Sequence, residues 1–322
     1  MGQMNRQKPK FSIIAPVFNE VDGLKEFYKV LKSVMDAIGE EWEVLLVDDG
    51  STDGSREIIL TLAGEDSHIV PIIFARNFGH QIAVTAGMDH AQGDAVIIID
   101  SDLQDPPQVI PDLIAKWKEG YEVVYAVRRE REGETWFKRT SAVAFYRFIN
   151  RITDVKIPLD TGDFRLLDRE VVDVLNGMRE KQRFLRGMSA WVGFNQIGVV
   201  YDRKSRFAGK SKYPFRKMLQ LALNAITGFS TLPLQVAEYS GIVLLVLSVI
   251  YAITAAIFAM IQQPFLPGQA LIVFLLLFLG GLLSLFMGIV GEYVSRIYDE
   301  VKGRPLYILR TNPKNPKLKE KK

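Results

Sequence analysis

Residues 95–107 read Ala95-Val96-Ile97-Ile98-Ile99-Asp100-Ser101-Asp102-Leu103-Gln104-Asp105-Pro106-Pro107. An unbroken apolar run predicts a strand covered on both faces, as in a parallel sheet, and the switch to carboxylates predicts that it ends at Ile99. Two carboxylates one residue apart at a strand terminus can share a hard divalent cation, because Mg2+ takes one or two carboxylates together with substrate phosphate oxygens. An Asp-x-Asp pair also caps turns, so the surrounding sequence decides its meaning.

Outward from this stretch, the spacing predicts further strands at 11–17, 42–47, 70–75 and 121–126, with helices at 22–38, 54–63, 81–92 and 107–119 between them. Strands alternating with helices define an α/β class with a mostly parallel, Rossmann-like sheet, and such sheets bind ligands at the carboxyl ends of their strands. The polar residues cluster there: Asn19 and Glu20 after the first strand, Asp48 and Asp49 after the second, Arg76 and Asn77 after the third, Asp100 and Asp102 after the fourth, Arg128 and Arg129 after the fifth. A carboxylate ending the second strand suits a ribose hydroxyl or a nucleobase N–H, and either Asp48 or Asp49 fills that position. Asp53 is read as a helix cap. Further helices are predicted at 134–151, 171–178 and 183–191.

The C-terminal part has another character. No Asp, Glu, Lys, Arg or His occurs between Glu238 and Glu292. Pro264, Pro267 and Gly268 split this stretch into two apolar segments, each able to cross a hydrocarbon core of ~30 Å at ~1.5 Å per residue. Lys210, Lys212, Arg216 and Lys217 precede the first and Arg296, Lys302, Arg304 and Arg310 follow the second, so both termini are expected on the cytoplasmic side. Phe215, Met218, Leu219, Leu223 and Ile226 give 214–226 an apolar face suited to the membrane interface. The expected organisation is a flexible N-terminus at 1–10, a cytoplasmic α/β domain at 11–213, an interfacial region at 214–234, transmembrane helices at 235–262 and 268–294, and a cytoplasmic tail at 295–322, disordered after Arg310. Gly280, Gly281, Gly288 and Gly291 allow close helix approach, the basis for expecting a homo-oligomer.

Composition narrows the classes. A net charge of +3 is too small for a nucleic-acid binder, and the absence of cysteine excludes disulfides and thiolate metal sites. The polar, basic opening residues give no apolar signal sequence, so the N-terminal domain is expected in the cytosol. Gly209-Lys210-Ser211 ends like a phosphate-binding P-loop, but that motif needs a glycine where Lys204 stands. His68, His80 and His90 lack metal-ligand spacing, although His80 lies beside the Asn77 to Gly79 segment, within reach of a nucleotide there.

Four motifs carry a resemblance: Ser12 to Glu20, Val47 to Asp53, Ala75 to Gln81 and Asp100 to Pro107. Together they resemble the inverting family 2 glycosyltransferases of GT-A fold, and within them the polyisoprenyl-phosphate glycosyltransferases, which include bactoprenol glucosyltransferases and dolichol-phosphate mannose synthases. The resemblance implies Mg2+ or Mn2+ at Asp100, Asp102 and Gln104. It implies a nucleotide-sugar donor at Pro16, Asn19, Glu20, Asp48 or Asp49, Asn77, Gly79, Gln81, Asp100 and Ser101, and a polyprenyl-phosphate acceptor borne by the bilayer. Asp160 to Arg165 is similar to the family's acidic segment facing sugar and acceptor, which makes Asp160 the first choice for the reaction centre and Asp163 the second. Arg206 to Lys212 is similar to its Arg-x-x-Gly-x-Ser-Lys loop, so Arg206, Lys210, Ser211 and Lys212, with Arg128 and Arg165, are candidates for gripping phosphate. Gln182-Arg183-Phe184-Leu185-Arg186-Gly187 resembles the Gln-x-x-Arg-Trp pattern of processive polysaccharide synthases but has the wrong spacing and no Trp, which counts against a polymerase. The implied reaction is inverting transfer of a hexose, with UDP-glucose as the favoured donor and undecaprenyl phosphate as acceptor. GDP-mannose, a UDP-aminosugar, or a nucleotide-binding scaffold without turnover are the alternatives.

Overall fold

The computed structural model describes residues 8–129, 161–202, 232–260 and 269–311. The expected helices at 134–151 and 214–226, the turn between the apolar segments, and Asp160, Arg206, Lys210, Ser211 and Lys212 lie outside the described residues. Two compact units divide the chain, one formed around a sheet and one holding the two long apolar helices.

In the first unit, β1 (Phe11–Val17) and β2 (Trp42–Asp48) are buried at every position. This is the outcome expected for apolar runs with helices on both faces. β3 (Ile69–Phe74) and β4 (Ala95–Ile98) complete a parallel block in which β1 pairs with both β2 and β4, and β2 pairs with β3. α1 (Leu24–Ile38) buries Leu24, Phe27, Tyr28, Leu31 and Met35, one face of a 3.6-residue repeat, and stops at Gly39 in the left-handed region (φ 75°). α2 (Ser55–Glu65) follows β2, and α3 (His80–His90) follows β3. α3 rides close on β1, since a Cβ at Gly87 would overlap the Ile14 side chain. Pro107–Val109 forms a single 3₁₀ turn before α4 (Ile110–Lys118), where the sequence predicts one helix; Pro111 in the first turn is compatible with a helix start there.

The full sheet has eight strands in the order β7-β5-β6-β4-β1-β2-β3-β8. β5 (Val123–Arg128) and β7 (Gln196–Tyr201) are parallel neighbours, and between β5 and β4 lies β6 (Thr161–Asp168), antiparallel to both. This inversion fixes the site. β1 to β5 all end at one edge, and β6, running the other way, begins there. α5 (Arg169–Gly177) and α6 (Leu185–Trp191) follow β6, with Asp168 capping α5 through the Glu170 amide. The last strand, β8 (Leu309–Thr311), pairs antiparallel with β3. The tail is expected from its sequence to be disordered after Arg310, and the strand extends one residue past that point, to Thr311.

The second unit holds α7 (Leu232–Met260) and α8 (Gln269–Val301). Both are long and apolar enough to cross a membrane: 234–251 has a mean hydropathy of 1.7 and 278–301 one of 1.5, with neither stretch buried within the protein.

Candidate active site

Two clusters occupy the carboxyl edge of the sheet. The first is made by the turns after β1 and β2. Asp48 is fully buried and accepts from the Ser51 amide (2.9 Å) and the Arg56 Nε (3.2 Å). Asn19 takes a left-handed conformation (φ 54°), which Asn tolerates best after Gly, and its Oδ1 accepts from the Thr52 amide at 2.8 Å. The amides of Glu20 and Val21 donate to Ser55 Oγ and Asp53 Oδ2. Asp53 also accepts from Ser55 N (3.0 Å) and Ser55 Oγ (2.6 Å), while Gly54 takes the N-cap position expected for Asp53. Ser101 Oγ donates to the Pro16 carbonyl at 2.8 Å, tying the end of β4 to that of β1.

Asp49 closes this cluster. Its carboxylate accepts from the amides of Phe78 (2.7 Å) and Gly79 (3.0 Å), which fixes the loop after β3 against the end of β2. Burial pushes its carboxyl up to about 6, against the two amides that stabilise the anion. Gly50 lets the loop come this near, because it sits at φ 73° and a Cβ there would meet Arg76 C and Asn77 N at 2.6 Å. Among the expected nucleotide residues, Asp48 thus serves the turn after its own strand, and Asp49 holds the loop after β3 on which Asn77 and Gly79 lie.

The second cluster is made of charges. His80, the first residue of α3, places its Nε2 3.2 Å from Asp163 Oδ2 and 3.6 Å from Asp100 Oδ1. Arg186 on α6 places its Nε 2.7 Å from Asp163 Oδ1. Gln81 donates to Asp163 Oδ2 (3.2 Å) and accepts from the Leu185 amide (2.9 Å), so α3 and α6 meet through one side chain. Burial works to lower the His80 imidazole, but Asp100 and Asp163 more than offset it and raise it to about 9. Burial works to raise Asp163, but Arg186 and His80 hold it well below the ordinary carboxylate range. Burial pushes Asp100 up to about 6 despite His80, with Asp105, Asp163 and Asp102 acting in the same direction. A pocket of about 200 Å³ lies beside these groups, lined by Phe78 to Ile82, Asp163, Phe184 and Arg186.

Among the described residues no three His, Asp or Glu side chains converge as a ready-made metal cage. Asp100, Asp102 and Gln104 occupy one turn, in which Asp102 Oδ1 accepts from the Gln104 amide and Leu103 is left-handed (φ 59°). That conformation costs a non-glycine residue ~1–2 kcal/mol, and such strain collects at functional turns. Two carboxylates and an amide are a hard-oxygen set, which fits Mg2+ or Mn2+ arriving with a phosphate ligand rather than a preformed protein cage.

Two expected phosphate ligands have other partners. Arg165 is 4% exposed; it donates to Ser189 Oγ and to the carbonyls of Gly162 (3.0 Å) and Asp163 (3.3 Å), and burial draws its guanidinium down to about 10. It ties the start of β6 to Ser189 on α6. Arg128 packs over Gly162, donates to Tyr201 Oη and lies 3.8 Å from the buried Asp105, which also accepts from Tyr201. Arg186 has no role that its sequence context assigns, and His80 is placed only beside the Asn77 to Gly79 segment. The available signals were the predicted 183–191 helix and the place of His80 directly after the Asn77 to Gly79 motif.

An α/β sheet with a carboxylate turn at the end of β4 and a charge-lined pocket beside it has the form of a ligand-binding strand edge. Residues 12–175 match the model of glycosyl transferase family 2, and the chain belongs to that family, with the GT-A arrangement of its sheet. It is similar to the uncharacterized glycosyltransferase YkcC of Bacillus subtilis, 48% identical over 94% of this chain and 93% of that protein. It is also similar to the SfII prophage-derived bactoprenol glucosyl transferase of Shigella flexneri, 42% identical over 94% of this chain and 97% of that protein. Among solved structures, glucosyl-3-phosphoglycerate synthase of Mycobacterium tuberculosis aligns with 68% of this chain and 77% of its own at 18% identity and a TM-score of 0.45.

Proposed function

We propose that this glycosyltransferase moves a hexose, glucose from UDP-glucose in the favoured reading, onto a polyprenyl phosphate of the undecaprenyl type, at the cytoplasmic face of a membrane crossed by α7 and α8. The observation that carries the reading is the pairing, in one chain, of a strand-end carboxylate edge with two helices apolar enough for a bilayer. Similarity to a bactoprenol glucosyl transferase along nearly the whole length supports the lipid acceptor.

In the chemistry, an oxygen of the acceptor phosphate attacks the anomeric carbon, the bond from that carbon to the nucleoside diphosphate breaks, and the diphosphate departs with the electron pair. Attack opposite the leaving group inverts the anomeric configuration. A phosphate monoester has its second pKa near ~6, so the nucleophile is already anionic at neutral pH and needs no strong base. This suits Asp163, whose depressed basicity and ties to Arg186, His80 and Gln81 make it an orienting anion. Asp160 is the remaining candidate for contact with the sugar. Asp100, Asp102 and Gln104 would hold Mg2+ or Mn2+, which when bound neutralises the leaving diphosphate. Arg186 and the imidazolium of His80 add positive charge beside the pocket, and the enzyme's work is chiefly positioning and charge stabilisation.

The test is purified full-length protein in detergent with Mg2+, undecaprenyl phosphate and radiolabelled donors. A labelled lipid formed from UDP-glucose is the expected result. No labelled lipid from any UDP- or GDP-sugar in a full screen overturns the reading.

A further inference from the structure

The strand that follows α8 does more than cover an edge. β8 pairs with β3 through Ile73 and Phe74, and the Ala75 amide donates to the Ile308 carbonyl at 2.9 Å, so backbone groups of the edge strand that would otherwise face solvent are paired. Tyr307, just before β8, is half-buried, and its ring stacks on Phe74 with centroids 5.3 Å apart and planes 15° apart. Phe74 is fully buried and meets Phe78 edge to face at 5.5 Å. Phe78 forms one wall of the pocket, donates its amide to Asp49 and carries the Arg76 guanidinium 4.0 Å over its outer face.

A second tie runs to the far end of α3. Tyr307 Oη donates to Asp89 Oδ2 at 2.9 Å, and Asp89 also pairs with Arg179 at 2.7 Å. The segment from Phe74 to Asp89 is therefore held by the same tyrosine at both ends. Between those ends lie Phe78, Gly79, His80, Gln81 and Ile82, most of the pocket lining.

We propose that Tyr307 is a positioning residue for the nucleoside-diphosphate pocket, fixing the Phe78 wall through the Tyr307–Phe74–Phe78 ring stack. The inference rests on the donor-site reading above. Tyr307 is not among the residues that line the pocket, and it acts on donor binding through the Phe78 wall. Losing the stack should weaken donor binding about three- to tenfold, the range of an aromatic pair.

The experiment compares full-length wild type, Tyr307→Leu and Tyr307→Phe in detergent. It measures equilibrium binding of UDP and of GDP, then donor KM and kcat. The expected result is weaker nucleotide binding and a raised donor KM for Tyr307→Leu, an unchanged kcat, and near-complete rescue by Tyr307→Phe, which keeps the ring. Wild-type binding that Tyr307→Leu leaves unchanged overturns this inference alone. So does a loss shared equally by Tyr307→Phe, or a fall in kcat with KM constant. A wild type that binds neither UDP nor GDP overturns the donor-site reading and this inference with it.

Discussion

The two clusters at the carboxyl edge are built on opposite physical plans. Around Asp48, Asp49 and Asn19, polar side chains are answered mainly by backbone amides and hydroxyls of neighbouring turns. Around His80, Asp100, Asp163 and Arg186, charges answer charges. Amide donors are fixed by the chain and cannot leave, so the first cluster is a cradle set before any ligand arrives. Ion pairs can be exchanged for a phosphate or a metal, so the second is the cluster whose partners a charged ligand can replace.

Asp102→Ala separates the two plans most sharply. It removes half of the carboxylate pair, so transfer should fall by at least ~100-fold, the several kcal/mol that a metal supplies to a leaving group. Fluorescence-detected gel filtration should show membrane insertion and folding unchanged. Retained transfer would show that the turn after β4 receives no metal.

Asp49→Ala attacks the cradle instead. The Phe78 and Gly79 amides lose their acceptor, and a lost acceptor of this kind costs ~1–3 kcal/mol. A lower thermal midpoint together with weaker nucleotide binding is expected, and a rise in kcat-limited defects without change in stability would contradict the comparison.

Arg186→Ala acts on the charge cluster with milder effect. Asp163 loses the nearer of its cations, so its proton affinity rises and the acid limb of the kcat profile should move toward neutrality. A pH–rate series on wild type and variant measures it, and coincident acid limbs would sink the assignment.

The smallest effect is on stability against pH, read on metal-free protein in chelator. The folded His80 is raised to about 9 from an ordinary 6.5, so its contribution is fully present below 6.5 and is lost as pH rises through about 9. Thermal midpoints should decline over that window in the wild type, and His80→Asn should flatten the His80-dependent part of the decline.

How much of this was legible in the sequence depended on where the stabilising partners lie. β1, β2, β3, β4 and β5 could be read because long apolar runs end in polar residues, a local pattern. β6 escaped because its Asp163 and Arg165 look like an exposed acidic segment, while their partners Arg186, Gln81 and Ser189 are remote in sequence. β7 contains Gly198, and β8 is three residues in a proline-containing tail; both exist through pairing with distant strands. The Asp100 to Gln104 turn was placed correctly from its motif alone. The internal engagement of Arg128 and Arg165 was not, since a guanidinium that ties a sheet together and one that grips phosphate have the same spelling.

The reversed β6 has a consequence for engineering. Because β5 ends and β6 begins at the same edge, where Val127 pairs with Thr161, both strand ends are held by the sheet itself whatever sequence joins them. The sheet thus offers two fixed attachment points between which a connection can be exchanged without redesigning the core.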